Sequence, residues 1–155
     1  MNKAQFKNLA SSKAHLTAIS RKSPSAPMKY LHKMGLLKGK MLDYGCGRGF
    51  DADTFGMAKY DPFWFKCDDF APCEFDTITS NYCLNVIEDF KEREYAVNQM
   101  LHLLNPEGNL YIAVRADKKA LNGYTSKGTW QGYIELPYTK IRSCSAFDLY
   151  HLTKP

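Results

Sequence analysis

Residues 41–61 read MLDYGCGRGFDADTFGMAKYD, and the reading of this stretch decides the fold. Met41 and Leu42 belong to a short apolar strand that closes on Asp43. Gly45, Gly47 and Gly49 follow at alternate positions, then a brief polar segment, then a second short strand closing on Asp61. Glycine has no Cβ, so a loop with glycine at every second position turns tightly and lets a ligand come close to its backbone. Such a turn, with a carboxylate ending the strand on either side, predicts a ligand loop at the carboxyl edge of a sheet.

The glycine spacing selects among ligands. A nicotinamide dinucleotide fingerprint spaces its glycines by two and then three and presents a helix N-terminus to pyrophosphate. Here the third glycine comes one residue early, and Asp43 stands two residues before the first. A carboxylate in that place repels pyrophosphate and attracts the charged amino group of a methionine moiety. The expected ligand is S-adenosylmethionine, and a nucleotide-binding oxidoreductase is the disfavoured alternative.

Outward from this loop, 155 residues with 45% hydrophobic and 24% charged side chains suffice for one domain whose core needs neither disulfides nor metal. Five cysteines (46, 67, 73, 83 and 144) lie without a CxxC pair. They are expected as reduced thiols of a cytoplasmic protein, not as a zinc site. No apolar run reaches the ~20 residues of a membrane span, and the N-terminus lacks the apolar core of a secretory signal, so no membrane partner is expected. The net charge of +5 is unevenly spread. Residues 1–42 hold nine Lys or Arg and no Asp or Glu, whereas residues 43–100 hold twelve acidic residues against five basic. Such a basic block is either a nucleic-acid-binding face or a solvated arm. Residues 1–22 are read as a basic N-terminal arm and residues 23–155 as a single domain.

Weak helical periodicity runs through Phe6, Leu9 and Ala10. Pro24 and Pro27 interrupt any continuous helix, after which Met28, Leu31 and Met34 recur at helical spacing, with Gly35 placed to stop the turn. Residues 75–80 alternate and are β-branched, which predicts a strand. The strongest helix is predicted over residues 88–104. Glu88 and Asp89 lie in its opening turn, and Phe90, Val97, Met100, Leu101 and Leu104 lie along one face, with His102 near that side. Asn105-Pro106-Glu107-Gly108 is expected to end it before a buried-type strand over 110–114. Two closing strands, around 132–136 and 146–153, are expected to pair across the polar run that begins at Pro137. This alternation predicts an α/β sandwich with a mostly parallel sheet, whose ligand lies beyond the carboxyl ends of the strands. Asp43, Asp61 and Asn81 each fall at such an end.

Motif and context together resemble the class I S-adenosylmethionine-dependent methyltransferases. The resemblance implies a Rossmann-like sandwich, reduced in size, with a C-terminal antiparallel strand. It places Asp43, Gly45, Cys46 and Gly47 around the methionine part of the donor and Asp61 on the ribose hydroxyls. Asp61 follows Gly49 by twelve residues, which leaves room for only a very short first helix. A closer resemblance is to methyltransferases associated with DNA phosphorothioation systems and their phage-borne relatives. It is carried by Thr17-Ala18-Ile19 with Arg21, the Pro24/Pro27 segment, residues 42–49, Tyr60-Asp61-Pro62, Leu84-Asn85-Val86-Ile87-Glu88-Asp89 and Thr125-Ser126-Lys127-Gly128-Thr129-Trp130-Gln131. It implies methyl transfer with DNA as the favoured acceptor; the alternative is a non-catalytic S-adenosylmethionine-binding module.

Pro62 and Phe63, with Trp64, are candidates to pack on adenine or else to fill the core. Asp68 or Asp69 either accepts from the adenine amino group or lies in a solvated loop. Asn81 and Tyr82 take the substrate-facing position and are also candidates for the cofactor wall, and Asn81 is the catalytic candidate, orienting the acceptor. DNA amino-methyltransferases carry an Asn/Asp-Pro-Pro-Tyr/Phe segment there. Residues 81–84 read Asn-Tyr-Cys-Leu, which counts against ordinary adenine-N6 or cytosine-N4 methylation. Cys46 and Cys83 lack the Pro-Cys context of cytosine-C5 chemistry and are expected as small buried residues. Arg115 and Lys127 are candidates for substrate phosphates.

Overall fold

The computed structural model describes residues 14–155; the periodicity through Phe6, Leu9 and Ala10 lies outside them. Pro27 sits in the first turn of helix α1 (Ala26–Lys33), where a missing N–H removes no helical hydrogen bond. Met28 and Leu31 are fully buried, Met34 is exposed, and Gly35 follows the cap at φ +70°, the left-handed stop its position predicts. Strand β1 (Met41–Tyr44), helix α2 (Phe50–Phe55) and strand β2 (Ala58–Tyr60) make the first crossover. At six residues, α2 is as short as the sequence requires. Strand β3 (Phe75–Asn81), helix α3 (Phe90–Leu103) and strand β4 (Leu104–Arg115) make the second.

The six-stranded sheet has the order β2-β1-β3-β4-β8-β7, with β7 spanning Thr139–Ser143 and β8 Phe147–Thr153. Strands β2, β1, β3 and β4 are parallel, and β8 returns antiparallel to β4. This is a Rossmann-like α/β sandwich. Alternation along β4 divides the core between the two faces. Leu110, Ile112 and Val114 pack with Val97 and Met100 of α3, whereas Tyr111 and Ala113 pack with Met28 and Leu31 of α1 and Ala52 of α2. The chain leaves β1 in one direction to make β2 and comes back on the other side as β3. The carboxyl ends of β1 and β3 therefore flank a topological switch point.

Three expectations need correction. The long helix begins at Phe90, not Glu88, because Asp89 is its N-cap: Asp89 Oδ1 accepts a hydrogen bond from Lys91 N at 2.8 Å. Phe90 is consequently 60% exposed instead of lying on the buried face, and His102 is exposed as well. Residues 105–108 do not separate helix from strand. Leu104 already pairs with Phe75, the four residues bulge, and pairing resumes at Asn109 with Thr77. The closing hairpin is formed by β7 and β8, not by residues 132–136 with β8. Strand β6 (Trp130–Gly132) pairs instead with β5 (Asn122–Tyr124) in a separate two-stranded sheet. Strand β7 is an exposed edge, so it lacks the apolar alternation that would announce it. Its Lys140 and Arg142 lie over the Tyr150 and Tyr30 rings. Replacing Asp89 with Ala should cost about 1 kcal/mol, read as a lower denaturation midpoint with an unchanged slope.

Candidate active site

At the carboxyl ends of β1, β2 and β3 lies a cavity of ≈ 220 Å³. Asp43 lines it from within β1, Gly45, Cys46 and Gly47 from the loop after that strand, Asp61, Pro62 and Phe63 from the chain after β2, and Asn81 and Tyr82 from the end of β3. The topology thus brings together the residues that the sequence singled out at those three strand ends, Trp64 excepted. Arg21, Arg48 and Asp51 also line the cavity, with Val86 and Ile87. Their chemistry was not legible in the sequence, because Arg21 precedes the glycine motif by more than twenty residues and Asp51 looks like any acidic residue in a first helical turn. The resemblance does carry Arg21 among its matching pieces.

The loop is held by its own backbone. Gly45 N and Cys46 N both donate to Tyr60 O, at 2.8 and 3.0 Å, so β1's exit is fastened to β2's end. Gly45 has φ +76°, and a Cβ there would stand 2.6 Å from Cys83 Sγ. Glycine is therefore required at this position by both conformation and space. Asp61 completes the fastening. Its Oδ2 accepts from Gly47 N at 3.0 Å, and its Oδ1 accepts from Phe63 N at 2.9 Å and Trp64 N at 3.0 Å. A carboxylate offers about four lone-pair sites, so the remaining one is on Oδ2.

Asp43 is buried, and Thr79 Oγ1 donates to its Oδ1 at 3.0 Å. Burial, then the charge of Asp51, push its carboxyl up to about 7; Asp61 adds to the rise, while the Thr79 hydrogen bond and the Arg21 charge oppose it. Asp51 is buried too and accepts from Ser25 N at 2.8 Å, which joins the start of α1 to the start of α2. At the end of β3, both polar atoms of the Asn81 side chain are buried without a hydrogen-bond partner among the described residues. Tyr82 follows at φ +58°, a left-handed conformation that costs a residue with a Cβ roughly 1–2 kcal/mol. Its N–H donates to Ala113 O at 2.9 Å.

Burial pushes the Cys83 thiol up to about 12 and the Cys46 thiol well above its usual value. Both are protonated thiols near neutral pH, in keeping with small packed residues and not with nucleophiles. Trp64, Asp68, Asp69, Arg115 and Lys127 are not in the cavity wall. The Arg48 guanidinium lies 4.9 Å from the centre of the Trp64 ring, and Arg115 is paired with Asp117 at 2.5 and 3.0 Å. No group of metal-ligating side chains occurs among the described residues, and no helix among them is long and apolar enough to cross a membrane. The donor set fits a cationic, polyhydroxylated ligand: buried carboxylates, an open glycine turn, and a carboxamide with unused donor and acceptor atoms.

No protein-family model matches the chain, and no curated protein matches it in sequence. Solved structures do match in fold. The 1,6-didemethyltoxoflavin-N1-methyltransferase of Burkholderia thailandensis, with 1,6-didemethyltoxoflavin and S-adenosylhomocysteine bound, is 14% identical over 97% of this chain and 87% of that one, with a TM-score of 0.57. The N-methyltransferase NodS of Bradyrhizobium japonicum WM9, in complex with S-adenosylhomocysteine, is 14% identical over 94% and 99%, with a TM-score of 0.58. A structure from echinomycin biosynthesis, where a disulfide bond is converted into a thioacetal group, is 18% identical with a TM-score of 0.50. That match takes in 74% of this chain but only 61% of the neighbour's length. The chain has the Rossmann-like fold of the class I methyltransferases, with a mostly parallel sheet and an antiparallel strand near its C-terminus.

Two outcomes are expected of this geometry. Gly45→Ala should destabilise the protein by at least about 1 kcal/mol, since the left-handed backbone and the Cys83 contact both oppose a Cβ; equilibrium denaturation measures it. Asp43 has a folded-state value above its unfolded one, so its contribution favours folding below pH 4 and is lost as pH rises through about 7. Asp43→Asn should therefore gain stability over the parent between pH 4 and 8, on the order of 4 kcal/mol at the upper end, measured by denaturation at a series of pH values.

Proposed function

We propose that this chain is an S-adenosylmethionine-dependent methyltransferase with its donor site in the cavity at the ends of β1–β3. The observation that carries the reading is the convergence there of buried Asp43, the glycine loop, Asp61 and the unpartnered Asn81. The donor supplies an electrophilic methyl group on a sulfonium. Asp43 gives the cationic amino end a carboxylate, and Asp61 Oδ2 offers its remaining lone pair to a ribose hydroxyl. Pro62 and Phe63 provide an apolar wall for the base. Asn81 orients the acceptor with the carboxamide atoms that the fold leaves unused. Displacement at a methyl group depends chiefly on bringing donor and acceptor into line, so positioning by these groups is the protein's main contribution.

The acceptor reading is a nucleic acid, with DNA favoured, and it rests on the concentration of Lys and Arg in residues 1–42. In this reading residues 1–22 are the arm that meets the phosphates and residues 23–155 the catalytic domain. Residues 17–21 join the two, because Thr17, Ala18, Ile19 and Arg21 already lie on the cavity wall. Free thiols at all five cysteines fit a reducing, cytoplasmic setting. A small-molecule acceptor is the second reading, favoured by the toxoflavin precursor held in one neighbouring structure. Incubation with methyl-labelled donor and separate DNA, RNA, protein and small-metabolite fractions tests both. Label is expected in DNA. Label in the metabolites alone would overturn the nucleic-acid reading, and none in any fraction would leave a non-catalytic binding module.

A further inference from the structure

Lys40, Lys59, Arg115 and Lys140 are each paired with a carboxylate. By contrast, the side chains of Lys29, Lys33 and Arg142 are exposed and make no hydrogen bond or ion pair with any described residue. The fold gathers these three on one surface. Lys29 and Lys33 stand one turn apart on the outer face of α1, whose Pro27, Met28 and Leu31 are buried. The Arg142 guanidinium, reaching over from β7, lies 4.5 Å from the centre of the Tyr30 ring of the same helix. Residues 1–42 contain no acidic residue, and β7 has none. The carboxylates of α2 and β8, which pack against α1, are engaged elsewhere. Asp51 accepts from Ser25 N, Asp53 pairs with Lys59, and Asp148 is fully buried against Tyr133, Ser143 and Lys140.

This basic surface starts at the cavity. Arg21 lines the cavity wall, and Ser25 N fastens the start of α1 to Asp51, which lines it too. Unpaired charges of one sign on one face make a field that attracts a polyanion. A lipid surface matches poorly, because a membrane-surface helix turns its apolar face to the acyl chains, and that of α1 is buried in the core. A second copy would meet its own positive charge at the free edge of β7. Single strands are gripped by open aromatic rings as well as by cations, and the Tyr30 ring carries the Arg142 guanidinium instead. A duplex backbone offers closely spaced phosphates and needs no apolar contact. We propose that Lys29, Lys33 and Arg142 form a contact surface for the phosphate backbone of duplex DNA beside the cavity mouth. Stacking on Tyr30 holds the Arg142 guanidinium ready for that contact. The proposal rests on the nucleic-acid reading above and extends the phosphate contact from residues 1–22 to the folded domain.

Fluorescence anisotropy of a labelled DNA duplex with the full chain, over a series of salt concentrations, tests this surface. Each phosphate contact contributes about 0.9 to the log–log salt slope. The triple variant Lys29→Gln, Lys33→Gln, Arg142→Gln should therefore flatten the slope by roughly two to three and weaken binding at low salt about tenfold or more. Its affinity for S-adenosylhomocysteine should stay within about twofold of the parent's. A control triple variant removes the same charge at Lys66, Lys91 and Lys118, which are exposed elsewhere, and should change the slope by less than about one. An unchanged slope in the first variant, or an equal change in both, would overturn the surface and leave the nucleic-acid reading standing. Self-association of the first variant at unchanged DNA affinity would also overturn it, assigning Arg142 to guarding the β7 edge. A parent that binds phosphatidylserine vesicles but no duplex, or neither, would overturn the surface and the DNA reading together, while S-adenosylhomocysteine binding tests the donor site separately.

Discussion

The side chain of Asp61 holds three backbone N–H groups, from Gly47 on one side and from Phe63 and Trp64 on the other, and the cavity depends on that grip. A loop with alternating glycines has little intrinsic preference for one shape. Here the shape is imposed from outside, by a carboxylate at the end of the neighbouring strand and by the Tyr60 carbonyl that accepts from Gly45 and Cys46. Hydrogen bonds to a charged acceptor contribute more than neutral ones, roughly 1.5–3 kcal/mol each. Asp61 therefore organises the loop by its own hydrogen bonds, and they leave one lone pair on Oδ2.

This organisation brings a concentration of negative charge with it. Asp43 is the last residue but one of β1, Asp51 lies in the first turn of α2, and Asp61 follows β2. Each position is unremarkable alone, yet the crossover folds all three against one cavity. The raised carboxyl of Asp43 comes first from its burial and then from the neighbouring charges of Asp51 and Asp61. A carboxyl held above its ordinary value costs stability in the free protein at neutral pH. The left-handed Tyr82 and the unpaired carboxamide of Asn81 belong to the same pattern, in which strain and unsatisfied groups gather at the site.

Part of the cavity wall is built by more distant parts of the chain. Val86 and Ile87 reach the wall from the segment after β3, and that segment is braced by the small sheet of β5 and β6. Asn85 Nδ2 donates to Gln131 Oε1 at 3.3 Å, Asn85 Oδ1 accepts from Arg115 N at 3.4 Å, and the Tyr124 hydroxyl donates to the Glu88 carboxylate. Residues 84–89 and 125–131, the two most distinctive stretches of the sequence, are thus neighbours through Asn85 and Gln131. Their separation along the chain hides this.

The glycine spacing, the strand ends at Asp43, Asp61 and Asn81, and the short first crossover were legible because each is a local property: a turn that needs glycine, or an apolar run that stops at a polar residue. Strand β7 was not legible, since an exposed edge strand carries no alternation, and β6 was paired wrongly because pairing is decided across space. The bulge at 105–108 hid the true start of β4 behind a proline and a glycine that read as a terminator. Arg21 and Asp51 are the clearest case at the site. Nothing local distinguishes an arginine in a basic arm or an aspartate in a helical first turn. By itself the sequence determined the loop, the sheet type and the kind of ligand they suit. Only the tertiary structure decided which charges meet, because electrostatic interaction depends on distance through space.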